Sequence, residues 1–272
     1  MSSNKCLVVL SGGQDSTTCA FWARKYFHEL HCVTFNYGQR HHREIEAARI
    51  IARQVGAASH EVVDLGPILK GRSPLTDPNA ELEQYSSFDQ MDAVIGNRVE
   101  LTFVPMRNAL FLSLAANRAI CLDINTIVTG VCQEDNANYP DCRGEFILAQ
   151  EHTINQALGL LENDPRRIHI STPLLKLPKK DTVNMAWALG IEAYAALAFS
   201  HTAYDGKYPP TGQDHATILR AHGFEQAGLP DPLILRAHNA DLLNELPATD
   251  NYKDPELNDL IIWHITKIME TL

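Results

Sequence analysis

The sequence predicts an α/β protein, a parallel β-sheet with helices on both faces followed by a small, mostly helical C-terminal region. Three observations carry this. Residues 6–65 alternate apolar runs with helical patterns, which is the βαβ rhythm of parallel strands. A glycine-rich turn joins the first apolar run directly to the first helical pattern. The chain is 272 residues long, 45% hydrophobic and 21% charged, enough to bury a sizeable core and far from the composition of disordered or rod-like chains.

The elements follow in order. Residues 6–10 form the first apolar strand, a helical pattern runs to about 29, and 30–35 is the second strand. In 43–55, Ile45, Ala48, Ile51 and Ala52 share one helix face, and Gly56 stops it. A third strand is read at 60–65. Between 66 and 102 the pattern fades into Pro74, Pro78, Gly96 and acidic residues, too long for a mere connection. That segment is either a lid-like insertion or a solvated surface loop. Leu110, Phe111, Leu114, Ala115 and Arg118 trace a helix that starts at Arg107, and 126–131 is the fourth strand. A polar loop, CQEDNANYPDCR, precedes a helix at 145–161, a short strand at 168–172 and a helix at 179–189 closed by Gly190. From Glu225 onward the chain holds nine acidic and three basic residues, and Leu257, Leu260, Ile261, Ile265 and Ile268 form one apolar helix face. That face packs on the body or on a second subunit, a homodimer being the expected assembly; a solvated appendage is the alternative.

Charge and composition exclude several functions. A formal charge of -10 repels nucleic-acid and membrane phosphates, so no direct nucleic-acid contact is expected. The longest apolar stretch, 110–122, is broken by Ser113, Asn117 and Arg118 and falls short of the roughly 18–20 residues of a membrane span. The N-terminus has no cleavage-site pattern, so a cytoplasmic address is expected. The six cysteines, at 6, 19, 32, 121, 132 and 142, show no paired spacing and read as mostly buried thiols.

The candidate chemistry begins at LSGGQDSTTCA, 10–20, between the first strand and the first helix, where the carboxyl edge of a parallel sheet opens a ligand crevice. Gly12 and Gly13 let the backbone turn tightly around an anion, and Ser16 and Thr17 open a helix whose amides attract phosphate. Leu10, Ser11, Gly12, Gly13, Gln14, Asp15, Ser16 and Thr17 are therefore the candidate nucleotide-binding residues, with Asp15 placed to help hold Mg²⁺. The stretch is neither a Walker loop nor a dinucleotide fingerprint. A capped turn without ligand is the alternative reading.

SGGQDS resembles the pyrophosphate-binding loop of the ATP pyrophosphatases. Five further stretches are similar to 7-cyano-7-deazaguanine synthases: VTFNYGQRHHREIEAA (33–48), Leu75-Thr76, FVPMRNALFLSLAA (103–116), VTGVCQEDNANYPDCR (128–143) and STPLLKLPKKDT (171–182). The resemblance implies a Rossmann-like HUP fold, a nucleotide domain at 1–200 with an insertion at 66–102, and an acidic helical region at 201–272. It implies a small-molecule deazaguanine substrate, ATP with Mg²⁺, and an amine donor such as ammonia; the carboxylate is adenylated, then becomes an amide and a nitrile on the queuosine route. Asp15, Ser16, Arg107 and Lys179 match the catalytic positions. Read from the residues alone, Arg107 starts a helix after the insertion, while Lys179 is open between an active-site cation and a surface charge. Arg40, in the basic cluster 40–43, is a candidate substrate contact or a solvated helix start. In the polar loop, Tyr139 is a candidate to stack on the base, Asp141 to pair with its guanine-like edge and Arg143 to meet its carboxylate, or else these residues only close the turn.

The chain departs from the resemblance in two places. Gln133, Glu134, Asn136 and Asn138 stand where the pattern E-T-D-[FY]-S-G is expected. Family members are similar in a C-terminal zinc site of four cysteines, but here Ala203, Thr211, Asp214 and Thr217 occupy the matching places and no cysteine follows Cys142. No structural zinc is expected, and a substitute site from His201, Asp214, His215 and His222 is the open alternative. These departures leave two further functions open. One is a diverged paralogue that stops at the amide or joins the deazaguanine to another amine, such as one on a protein. The other is a catalytically silent ATP-binding module.

Overall fold

A computed structural model describes residues 4–77, 79–134 and 137–272. Its strands are β1 Lys5–Val9, β2 Glu29–Asn36, β3 Ser59–Asp64, β4 Thr126–Val128 and β5 His169–Ser171. Among the described residues they form one wholly parallel sheet in the order β3-β2-β1-β4-β5, the α/β, Rossmann-like class that the sequence predicts. Strand order reverses at β1: the chain builds outward through β2 and β3, then returns to lay β4 and β5 on the other side. A crevice opens outside the carboxyl ends of β1 and β4.

Side chains alternate across the sheet with the strand period of two. Cys6, Val8, Leu10, Leu30 and Cys32 enter one core, whereas Leu7, Val33 and Phe35 enter the other. The first core is closed by α1 Gln14–Tyr26, α2 Arg43–Gln54, α6 Lys179–Ala188 and α7 Ile191–Ala196; the second by α4 Arg107–Cys121 and α5 Gly144–Ala157. Cys6, Cys19 and Cys32 are buried, and burial pushes the thiols of Cys6 and Cys32 up to about 12, so neither serves as a thiolate near neutral pH.

Two expectations need correction, and one alternative falls away. Helix α1 ends at Tyr26 rather than near 29, because Phe27 turns extended and Glu29 pairs in register with Lys5. Strand β4 stops at Val128 rather than 131, since the chain must leave the sheet to pass the 10–17 loop. A Cβ on Gly130 would stand 3.0 Å from the Asp15 carbonyl carbon. The segment 66–102 is not merely a solvated loop, because it contains α3 Phe88–Ile95, capped by Ser87 Oγ accepting from Gln90 N at 3.2 Å. Met91 and Ile95, one turn apart, pack with Tyr85 onto Ile218 and Leu219 of α8 His215–Ala227.

After α8 come α9 Pro232–Asn239 and α10 Pro255–Met269. Leu257, Ile261, Ile265 and Ile268 of α10 pack into the first core beside α7 and α9, so this face is covered by its own chain. Leu260 is the exception, 47% exposed, because at about 100° per residue it falls off the stripe that the other four share. At the positions that match the family cysteines, Ala203 is buried and Thr211 exposed. Asp214 caps α8, its carboxylate accepting from Thr217 N at 2.9 Å and Tyr204 N at 3.3 Å. No helix among the described residues is long and apolar enough to cross a membrane.

Candidate active site

The crevice at the carboxyl ends of β1 and β4 is a cavity of about 310 Å³. Its lining includes the first residues of four helices: Gln14 of α1, Arg107 of α4, Lys179 of α6 and His215 of α8. Glu44, the second residue of α2, lines it too. Helix amino termini present unsatisfied N–H groups and a positive dipole end, so their convergence creates an anion site.

The 10–17 loop forms one wall and is braced from within. Ser16 Oγ donates to the Gly13 carbonyl at 3.1 Å and lies 3.0 Å from Ser11 Oγ, while Thr17 Oγ1 donates to the same carbonyl at 2.8 Å. Gly12 adopts φ +88, and a Cβ there would meet the Glu44 carbonyl oxygen at 2.1 Å. Gly12→Ala should therefore lower stability by more than about 2 kcal/mol, because both the left-handed backbone and the close contact of the loop with α2 forbid it. A thermal melt within a degree or so of the parent would show that the loop can re-form around a side chain.

Two cations complete the site. Lys179 Nζ lies 3.1 and 2.9 Å from the two carboxylate oxygens of Asp15, with only 10% of the lysine side chain exposed. Thus α6 places Lys179 at the cleft rather than on the open surface. Arg107 lines the cleft from the start of α4: Met106 before it takes a left-handed conformation (φ 67), and the helix begins at once. Burial opposes the charge of Arg107, but the phenolic oxygens of Tyr37, Tyr139 and Tyr204 around it favour the guanidinium. Burial pushes the Glu44 carboxyl up to about 7, with nearby Arg107 pulling the other way. His201 and His215 are held down at about 4 by burial, hence neutral at pH 7.

Of the residues named from sequence, Leu10, Ser11, Gly13, Gln14, Asp15, Ser16, Arg40, Arg107, Tyr139 and Lys179 line this one cleft. Gly12 lies behind it, its carbonyl accepting from His201 N at 2.8 Å, and Thr17 is fully buried. Arg40 reaches the 66–102 segment, donating to the Pro74 and Ala80 carbonyls at 3.5 and 3.4 Å. The Tyr139 hydroxyl is tied to Thr102 and Glu100, leaving its ring at the cleft. Asp141 and Arg143 are not brought in: Asp141 Oδ2 accepts from Asn108 N at 3.2 Å and steadies the start of α4, and Arg143 is exposed at the start of α5. Asn138 bridges to the Gly96 and Arg98 carbonyls, whereas Asn136 lies outside the described residues.

Tyr37, Glu44, His201, Tyr204 and His215 line the cleft without having been singled out for it. Glu44 and Tyr37 sit inside one of the family-like stretches, which was the available signal. The proposed substitute metal site does not assemble: His222 stacks on Phe88 at 3.7 Å, Asp214 is a helix cap, and the His201 ring pairs with the Ala203 carbonyl at 2.9 Å. No group of three or more His, Cys, Asp or Glu among the described residues is arranged to hold a metal ion.

A family model described as "Queuosine biosynthesis protein QueC" matches residues 5–228. The chain is 48% identical over 230 residues to the 7-cyano-7-deazaguanine synthase of Gloeobacter violaceus, covering 84% of this chain and 95% of that one. It is 46% identical over 231 residues to that of Laribacter hongkongensis, covering 85% and 94%. Among solved structures, the NH3-dependent NAD synthetase of Campylobacter jejuni overlaps 99% of this chain and 87% of its own, at 13% identity and a TM-score of 0.40. The 10–17 loop, Arg107, Lys179 and α8 all fall within the matched span, and over that span the chain belongs to the QueC family.

Proposed function

We propose that this chain is an ATP-dependent carbon–nitrogen ligase that converts 7-carboxy-7-deazaguanine, with ammonia, to 7-cyano-7-deazaguanine. The convergence of four helix amino termini, Arg107 and Lys179 on one cleft carries this reading, and the names of the relatives supply the substrate. The cleft residues fit a triphosphate, since Gln14 Nε2 is a buried donor without a partner in it.

In the first step a carboxylate oxygen bonds to the α-phosphorus of ATP and the bond to pyrophosphate breaks. Arg107 faces the negative charge that gathers on the α-phosphate oxygens, and the 10–17 loop holds the departing pyrophosphate. Ammonia then attacks the acyl carbon, AMP leaves with the carboxylate oxygen, and a proton passes to a base, giving the amide. A second ATP then adenylates the amide oxygen and releases pyrophosphate, and AMP leaves with that oxygen while the nitrogen gives up its two protons, giving the nitrile. Mg²⁺ bound with the triphosphate would neutralise the leaving group, and Asp15 is the carboxylate placed to hold it. Lys179 pairs with Asp15, and a bound phosphate oxygen would offer the lysine a second anion.

Asp15→Ala should therefore lower turnover on the order of 10²-fold while shifting the melting temperature by no more than a few degrees, because the carboxylate is partly exposed at the cleft. A large melting shift with nucleotide affinity unchanged would instead make Asp15 a structural partner of Lys179.

The decisive experiment is mass spectrometry of products from 7-carboxy-7-deazaguanine, ATP, Mg²⁺ and ammonium. The nitrile is expected, and absence of AMP would overturn the reading. One observation favours a second outcome: the segment that departs from the family at 203–217 supplies Tyr204, His215 and Ala216 to the cleft itself. If AMP forms but the product mass is that of the amide, or of an adduct on an added amine such as a protein N-terminus, the chain is a diverged paralogue.

A further inference from the structure

One wall of the cleft belongs to α8, and His215, the first residue of this helix, is only 4% exposed yet lines the cavity. Neither of its ring nitrogens has a hydrogen-bond partner. A buried polar group left in that state is costly, and it persists where water or a ligand completes it. Gln14 Nε2 is buried and unpartnered in the same cleft. Asp15 and Lys179 line it with these two donors. Helix α8 runs along the lysine stem, since a Cβ on Gly223 would come within 2.5 Å of Lys179 Cγ.

We propose that His215 is a phosphate contact, its imidazole N–H donating to an oxygen of the two phosphates that leave together as pyrophosphate. This rests on the ATP reading above. The assignment to the phosphate end follows from the company His215 keeps: Lys179, the 10–17 loop and the amino terminus of its own helix all favour an anion at that spot. A neutral imidazole adds a directed donor there without repelling the Lys179 ammonium. Because His215 lies between Asp214 and Thr217, the segment lacking the family cysteines would itself furnish a ligand contact.

The test is calorimetric titration of the full chain with inorganic pyrophosphate and, separately, with AMP, each with Mg²⁺, for the parent, His215→Phe and His215→Asn. Loss of the donor should weaken pyrophosphate about tenfold or more in His215→Phe, leave AMP within about twofold, and be partly restored by His215→Asn. Unchanged pyrophosphate affinity in a folded His215→Phe protein, or an equal loss for AMP, would overturn the proposal while leaving the ATP reading intact. If the parent binds neither ligand, the ATP reading falls first and this contact with it. Should His215→Phe fail to fold, comparison of His215→Asn with His215→Ala decides by the same criteria.

Discussion

Arg107→Ala is expected to lower turnover on the order of 10² to 10³-fold, the scale for removing one preorganised donor from a developing oxyanion. The expectation rests on how little Arg107 must reorganise. Met106 holds a left-handed backbone that few non-glycine residues adopt, and this turn delivers Arg107 as the first residue of α4. The phenol groups of Tyr37, Tyr139 and Tyr204 stand around the guanidinium. Asp141 steadies the same helix start through Asn108 N at 3.2 Å. Arg107→Lys keeps the charge but loses the planar fork, so it should recover only part of the rate. AMP release under single-turnover conditions separates the chemical step from product departure. A near-normal rate in Arg107→Ala would reduce Arg107 to a helix-start residue.

The architecture was legible where local pattern and burial agree. Strand β1, the glycine turn and α1 lie in unbroken sequence, and the continuous apolar run 6–10, whose side chains enter the two cores alternately, follows from a strand covered on both faces. Helix α3 was hidden because an eight-residue helix with two buried apolar positions, Met91 and Ile95, gives almost no periodic signal. Its folding depends on Ile218 and Leu219, more than a hundred residues later. Leu260 misled in the opposite way, since apolarity alone does not say which stripe of a helix is covered.

The site shows the same division. Residues 10–17 could be named because they are consecutive and their backbone does the work. Tyr37 and Glu44 come from one segment and Tyr204 and His215 from another more than 150 residues later, and only the tertiary fold brings the two to one edge of the sheet. Asp141 and Arg143 sit close in sequence to cleft-lining Tyr139 and Cys142, yet neither is among the residues that line the cavity. A 3₁₀ turn at Pro140–Cys142 intervenes, and Asp141 takes the start of α4 as its partner. Proximity along a loop does not specify where side chains point.

Arg220→Ala should destabilise the protein by about 3–5 kcal/mol, roughly 6–20 °C in melting temperature for a chain of this size. Arg220 is 2% exposed, and all five of its N–H donors find acceptors. Nε and Nη2 grip the Asp231 carboxylate at 2.6 and 2.8 Å, Nη1 reaches Ser200 Oγ at 2.8 Å and Thr202 Oγ1 at 2.9 Å, and Nη2 also meets the Leu197 carbonyl at 3.1 Å. These partners join α8, the start of α9 and the segment 197–202. Truncation leaves the Asp231 carboxylate buried and unpaired, which costs more than the pair itself contributed. Replacing both members, Arg220→Met with Asp231→Leu, should recover most of the loss, less about 1 kcal/mol because Asp231 also caps α9 by accepting from Leu233 N. Since His201 N donates to the Gly12 carbonyl, Arg220→Ala should also loosen the 10–17 loop and weaken nucleotide binding below the melting transition. Chemical denaturation with parallel nucleotide titration measures both effects. A stability loss under about 1 kcal/mol would mean that water re-enters to solvate Asp231 and that packing of α8 and α10, rather than this ion pair, holds the region.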